Sequence, residues 1–419
     1  MKDAYDCIVI GGGPAGSTTA ALVADGGCST LLLEREKVPR FHVGESLMPE
    51  TYWPLKRLGV LEQMKRSQFV KKVSVQFIND TGRESQPFFF KEHDPRESSE
   101  TWQVERADFD KMLFDNAAAK GADCLDQTRV REVLFEGEKA VGVRLETQDG
   151  SPREIACRVV VDATGQQSFL ASRLGLRVDD QRLRKAAIWG YYRGAKRDPG
   201  EHGGATIIMH TEGKHSWFWY IPLSNDITSI GVVADNDYLL KGRGKPASVF
   251  EDELVKCPGL ASRLMDAELI SKFRVAKEFS YTTRKQAGDG WVLVGDAFGF
   301  IDPIYSSGVY FALRSGELAA DAIVEGLAAG DTSAEQLSKW ASDFRGGTKW
   351  IRKLVDAYYT NEFSFGMFMR DHPEHAGNLT DLLIGRIFHD GAGRIFDDMD
   401  PMLEKVREQV DQPDAVSSE

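Results

Sequence analysis

An α/β fold is predicted by three features of the sequence. These are a Rossmann-type strand–turn–helix–strand unit at the start, short alternating strands in the middle, and a helical pattern at the end. Cys7-Ile8-Val9-Ile10 is an apolar run of strand length that breaks into Gly11-Gly12-Gly13. Small residues then predict a helix over Pro14–Asp25, and Thr30–Leu33 predicts a second buried strand. No second copy of this unit is present, so one nucleotide site is expected.

Later segments return to the same lobe. Arg158–Val161 predicts a strand running into the turn Asp162-Ala163-Thr164-Gly165, and Gly290–Val294 another running into Gly295-Asp296. Between them Ala186–Tyr192, Ala205–His210, Trp217–Leu223 and Thr228–Val233 are short strands, the last two joined by the hairpin signal Ser224-Asn225-Asp226. A mostly antiparallel sheet is therefore inserted into the first lobe. A helix is expected from about Val309. From about Ala334 the chain turns helical, with aromatics dense over Tyr358–Phe368, and the tail after Val410 lacks periodicity.

Composition narrows the class. A formal charge of −12 argues against nucleic acid or an anionic membrane as the main partner, since phosphate is gripped by clustered Lys and Arg. The cysteines Cys7, Cys28, Cys124, Cys157 and Cys257 are odd in number and lack CxxC spacing, which suits a reducing cytoplasm rather than a disulfide framework or zinc cluster. No signal peptide is read at the start, and the most apolar long stretch, Trp291–Leu313, carries Asp296 and Asp302, so no membrane span is expected. No metal site is expected.

The first glycine turn, Gly11-Gly12-Gly13-Pro14-Ala15-Gly16, fits GxGxxG with Gly11, Gly13 and Gly16 in register. It follows a strand, opens a helix, and is followed by Glu34 at the end of the second strand. That context predicts pyrophosphate at the helix N-terminus, against Pro14 and Ala15, and ribose on the Glu34 carboxylate. Val294-Gly295-Asp296-Ala297 then resembles the ribityl- and pyrophosphate-contacting motif of the FAD-dependent monooxygenase superfamily. Asp162-Ala163-Thr164-Gly165 and Arg106, in Val104-Glu105-Arg106-Ala107-Asp108-Phe109-Asp110, resemble two further elements of that superfamily. The resemblance implies FAD as cofactor, with Gly165, Gly295, Asp296 and Arg106 beside it. The expected division is an FAD-binding lobe over 1–180 and 286–333, a substrate-sheet lobe over 181–285, a helical region over 334–410, and a disordered tail over 411–419.

Three motifs narrow the family. Ser216-Trp217-Phe218-Trp219-Tyr220-Ile221-Pro222 contains WxWxIP, and strand periodicity puts Trp217, Trp219 and Ile221 on one face. Phe300-Ile301-Asp302-Pro303-Ile304-Tyr305-Ser306-Ser307-Gly308 fits FxxPxxSxG before a helix, whose N-terminus suits a small anion. Lys71 and Lys72 precede the strand-like Val73–Phe77. Together these resemble the flavin-dependent halogenases, with Gly44-Glu45-Ser46-Leu47-Met48-Pro49 similar to their GESxxP loop.

The resemblance implies a two-component enzyme of secondary metabolism. It would use reduced FAD from a separate flavin reductase, with O2 and chloride or bromide, to form hypohalous acid and halogenate an electron-rich ring. In that reading Lys72 is catalytic, with Lys71 its solvated neighbour; Trp217 and Trp219 shield the flavin; Ser307 and Gly308 hold halide; and Glu45, Ser46 and Pro303 contact the flavin. Tryptophan-type members carry a glutamate where this chain has Tyr305, which points to a phenol, pyrrole or similar ring, free or tethered to a carrier protein. Tyr305 is then expected at a pocket wall, and Tyr358, Tyr359, Phe363, Phe365 and Phe368 as pocket lining or core. The alternatives are a flavin monooxygenase hydroxylating its substrate directly, which needs an open flavin face beside the tryptophans, and a relative of the geranylgeranyl reductases, which needs a long apolar tunnel.

Overall fold

The computed structural model describes residues 1–146, 150–277, 280–360 and 363–411, with side chains to residue 408. Its first sheet runs in the order Ala287–Gly288, Trp291–Leu293, Pro152–Asp162, Ala4–Ile10, Thr30–Leu33, Asp123–Leu125. The central strands are parallel: Ala4–Ile10 pairs with both Thr30–Leu33 and Pro152–Asp162, and the latter with Trp291–Leu293. Strands covered on both faces need apolar residues at every position. Ile8, Val9, Leu31, Leu32, Val160 and Val161 are accordingly fully buried. The expected helix spans Pro14–Asp25, and the antiparallel ribbon Arg129–Glu136/Lys139–Glu146 extends the sheet from Pro152–Asp162.

The second sheet runs Glu268–Leu269, Lys185–Arg193, Ile227–Asp235, Ser216–Pro222, Thr206–His210, Ser74–Ile78, Phe88–Phe89. Asn225 and Asp226 both have positive φ, 55° and 57°, the two-residue geometry that matches strand twist in a tight hairpin. Ser74–Ile78 and Phe88–Phe89 lie within the segment 1–180 yet belong to this second sheet. Ser74–Ile78 lies parallel to Thr206–His210, so the sheet is mixed. The physical reason is the edge of Thr206–His210, which would otherwise expose a row of unpaired amides and carbonyls. Val70–Lys72 forms a separate two-stranded ladder with Thr101–Gln103.

The helix Gly308–Ala329 begins where expected, and the C-terminal region is helical through Ala341–Tyr358, Phe365–Asp371, Ala376–Ile384 and Ile395–Asp411. The rest of the tail, 412–419, lies outside the described residues. Among the described residues no helix is long and apolar enough to cross a membrane.

Candidate active site

One long cavity opens at the C-terminal ends of the parallel strands and continues beneath one face of the second sheet. Gly11, Gly13, Pro14, Ala15, Glu34, Glu45, Ser46, Arg106, Gly165, Trp217, Trp219, Asp296, Pro303 and Gly308 all border it. Gly16, Lys72, Gly295 and Ser307 do not.

The glycines have different tasks. Gly11 has φ +108°, and a Cβ there would stand 2.3 Å from the Ala163 carbonyl oxygen. At Gly16 a Cβ would stand 1.9 Å from the Gly11 oxygen, so both residues let the turn close on its neighbours. A Cβ on Gly13 would meet only the Arg40 guanidinium, at 3.5 Å, so this glycine leaves room on the cavity wall. Glu34 accepts from the Gly12 N–H at 2.9 Å and pairs with Arg40 at 3.2 Å. Arg40 also meets Asp110 at 2.8 Å, and Asp110 accepts two bonds from Arg106, at 2.7 and 3.1 Å. Carboxylates and guanidiniums thus alternate, which offsets the cost of burying each. Arg106 also donates to the Val43 carbonyl at 2.7 Å and so fastens the start of the Gly44-Glu45-Ser46 loop. The Asp162 carboxylate ties its own turn by accepting from Thr164 and Leu170 N–H groups.

Asp296 is different. Burial raises its carboxyl to about 7, opposed by the Arg106 charge, and among the described residues no protein donor bonds that carboxylate. A carboxylate on a cavity wall lacking protein donors fits the hydroxyls of a ribityl chain. With the glycine cradle, the residues present fit FAD.

On the sheet side, Trp217 and Trp219 stand with ring centroids 6.4 Å apart. Their indole N–H groups point away from solvent, Trp217 donating to the Tyr359 hydroxyl at 2.8 Å and Trp219 to Ser229 Oγ at 3.1 Å. Trp189 is a third indole on the wall, 6.2 Å from Trp219, and the sequence reading missed it. The available signal was alternation: Ala187 and Trp189 fall on the cavity face of their strand.

The loop before the long helix is fixed by Asp302, which accepts from the Ile304 N–H at 3.1 Å and from the Tyr359 hydroxyl at 2.9 Å. Burial raises its carboxyl to about 6. Ser306 adopts the left-handed region, φ 58°, unusual for a residue with a Cβ, and this turn brings the chain to Ser307 and the start of the helix at Gly308. Ser307 Oγ is buried and lacks a hydrogen-bond partner among the described residues.

Tyr305 is not on the wall: its hydroxyl donates to the Leu354 carbonyl at 3.4 Å and its ring meets Tyr358. Tyr358, Tyr359, Phe363, Phe365 and Phe368 likewise do not border the cavity. Of their two expected roles they take the core: Tyr358 and Tyr359 back Trp217, and Phe368 stacks on His372 and His375.

The adjacent lysines have opposite surroundings. Lys71 is exposed and pairs with Glu100 at 3.1 Å. Lys72 is 2% exposed and donates to Ser46 Oγ at 2.8 Å and to the Leu47 carbonyl at 3.0 Å. Desolvation, with no opposite charge beside it among the described residues, lowers its ammonium to about 7. Lys72 reaches the cavity through Ser46, a link across 26 residues of sequence.

Comparison with known proteins agrees with this site. Residues 4–333 match the FAD binding domain family. A 1H-pyrrole-2-carbonyl-[peptidyl-carrier protein] brominase of Pseudoalteromonas luteoviolacea is 32% identical over 92% of this chain and 92% of its own. A 1H-pyrrole-2-carbonyl-[peptidyl-carrier protein] chlorinase of Pseudomonas fluorescens is 30% identical over 96% of this chain and 92% of its own. The solved flavin-dependent brominase Bmp2 superposes with a TM-score of 0.87 at 31% identity, covering 96% of this chain and 99% of that one. A nucleotide cradle, a tryptophan-lined sheet face and relatives of this kind converge on one conclusion: the chain belongs to the flavin-dependent halogenases, enzymes that use FAD.

Proposed function

We propose that this halogenase acts on an electron-rich ring, a pyrrole or phenol, held on a carrier protein, with Lys72 as its catalytic group. The observation that carries the assignment is the buried ammonium itself, which has no carboxylate partner among the described residues and is joined to the cavity by one hydroxyl. The carrier is inferred from the two relatives named above, both of which act on a carrier-bound pyrrole.

Reduced FAD, when bound, supplies the electrons by which O2 and halide become hypohalous acid. The protein supplies the setting. Gly11, Gly13, Pro14 and Ala15 cradle the pyrophosphate, with Gly16 closing the turn behind them; Glu34 and Asp296 take ribose and ribityl hydroxyls; Glu45, Ser46, Arg106, Gly165 and Pro303 frame the rest of the cofactor, with Gly295 setting Asp296 on the wall. Gly308 on the cavity wall, with Ser307 just behind it, would hold the halide at the N-terminus of the helix Gly308–Ala329. Trp217 and Trp219 wall the ring substrate off from the flavin, so that oxidant forms in one place and is used in another. A separate flavin reductase is inferred from the single nucleotide fingerprint, and a reducing cytoplasm from five free cysteines.

The test is incubation with a flavin reductase, O2, bromide and either free or carrier-loaded pyrroles and phenols, read by mass spectrometry. Monobrominated product from the loaded carrier, lost by a factor of about 10² or more in Lys72→Ala, is expected. Hydroxylated product formed without regard to halide would overturn the proposal.

A further inference from the structure

Lys72 has no face on the cavity, so a group between them must carry its effect. Ser46 Oγ accepts from Lys72 Nζ at 2.8 Å and lies 2.8 Å from Thr206 Oγ1. Thr206 Oγ1 accepts from Gln103 Nε2 at 2.8 Å, and the same nitrogen donates to the Gly204 carbonyl at 3.0 Å. A carbonyl can only accept, so Gly204 fixes which end of the Gln103 amide faces Thr206. Each hydroxyl carries one proton and two lone pairs. If Thr206 donates to Ser46, the lone pairs of Ser46 are filled by Lys72 and Thr206, and its own proton is left over. If Ser46 donates to Thr206, the Thr206 proton is left over. In either sense one hydroxyl proton remains for the cavity that both residues border.

We propose that Ser46, at the edge of the cofactor site where it meets Thr206 of the second sheet, is with Thr206 the acid that meets the oxidant and substrate on the tryptophan side of the cavity, and that Lys72 is the proton reservoir behind it. This rests on the halogenase reading of the site and on Lys72 as its buried ammonium. As a ring carbon bonds the halogen of hypohalous acid, the oxygen–halogen bond breaks. The departing hydroxide takes the Ser46 proton and leaves as water, while Lys72 Nζ reprotonates Ser46 Oγ. The ring proton, released when aromaticity returns, restores the ammonium by the reverse route. The net change is ring C–H plus hypohalous acid to ring C–halogen plus water. A serine here also supplies what a carboxylate would not: it links the ammonium to the cavity without holding a permanent ion pair that would keep the lysine proton in place.

The experiment compares wild type, Lys72→Ala, Ser46→Ala, Ser46→Thr and Thr206→Val. Halogenation kcat is followed across pH with reduced FAD supplied, and FAD affinity is measured for each. A second readout without turnover is reductive methylation of Lys72 against pH, read by peptide mass spectrometry. The expected result for Ser46→Ala is a kcat loss of about 10² to 10⁴, the usual span for general acid catalysis, with the alkaline limb of the profile abolished. Its Lys72 methylation midpoint moves to lower pH, because the ammonium loses a hydrogen-bond acceptor. Ser46→Thr restores both, and Thr206→Val falls between. A Ser46→Ala enzyme with wild-type kcat and alkaline limb overturns the relay if Lys72→Ala is inactive. If Lys72→Ala is also active, the reading of Lys72 itself fails. Should Ser46→Ala not fold, Thr206→Val decides: an unchanged profile and methylation midpoint overturn the relay.

Discussion

The two faces of the second sheet are equally buried and chemically unlike. Along Ser216–Pro222, Trp217 and Trp219 point to the cavity while Phe218 and Tyr220 point into a second core with Ile207, Met209, Ile230, Val232 and Phe250. Burial does not separate them: Trp217 is 3% exposed and Phe218 0%. The treatment of charge does. Behind the far face Glu253 is paired with Arg243 and Lys256, and Arg263 with Asp198 and Glu84. On the cavity side Lys72, which is buried, and Asp296, which is half-buried, have no salt bridge among the described residues, and desolvation displaces both to about 7. Glu34, Arg40, Asp110 and Arg106 are paired around the same cavity, so the unpaired state of these two groups is particular to them, and it marks this side as kept for something besides stability.

That contrast can be tested from its largest consequence downwards. Lys72 has its ammonium lowered from 10.5 to about 7 by burial, so between those values the unfolded chain holds more protons than the folded one. Stability relative to a Lys72→Met variant should therefore rise with pH through that window, with the full burial cost present below about pH 7. Denaturant titrations of the two proteins over this range check it, and parallel curves would break the contrast.

Phe218→Ala, on the far face, removes a fully buried ring that packs edge-on against Phe250 at 5.3 Å. A loss of about 3–5 kcal/mol is expected, measured by urea unfolding, with activity per folded molecule preserved. Gly231→Ala acts between the faces: a Cβ there would stand 2.3 Å from the Trp219 ring and 2.6 Å from Trp189 Cβ. Overpacking of about 1–3 kcal/mol is expected, accompanied by a shift in tryptophan fluorescence as the wall indoles move. Tyr359→Phe should cost least, about 1 kcal/mol, by breaking the bonds to Trp217 and Asp302. Its sharper readout is the ratio of halogenated product to FAD oxidised, which should fall if that hydroxyl holds the Trp217 wall in place.

Local rules were enough for much of this molecule. The helix Pro14–Asp25 and the strand Thr30–Leu33 have the bounds the sequence predicts, because a glycine break and an apolar run are signals contained within a few residues. The shared face of Trp217, Trp219 and Ile221 follows from the two-residue period of a strand, and the hairpin at Asn225-Asp226 from turn chemistry. Aromatic density over Tyr358–Phe368 left two roles open, because packing against a core and lining a pocket call for the same residues, and the fold gives them the core.

By itself, then, the sequence determined the nucleotide cradle, the indole face and the loop leading into Gly308–Ala329, each encoded within one short stretch of chain. Tertiary structure alone decided that Ser74–Ile78 completes the second sheet, that Trp189 joins the wall, and that Lys72 turns inward to Ser46 while Lys71 turns out to Glu100. Those outcomes depend on strand register and on partners tens to more than a hundred residues away. A shift of one residue in a ladder exchanges the two faces, and no local pattern around Lys71-Lys72 contains the position of Ser46.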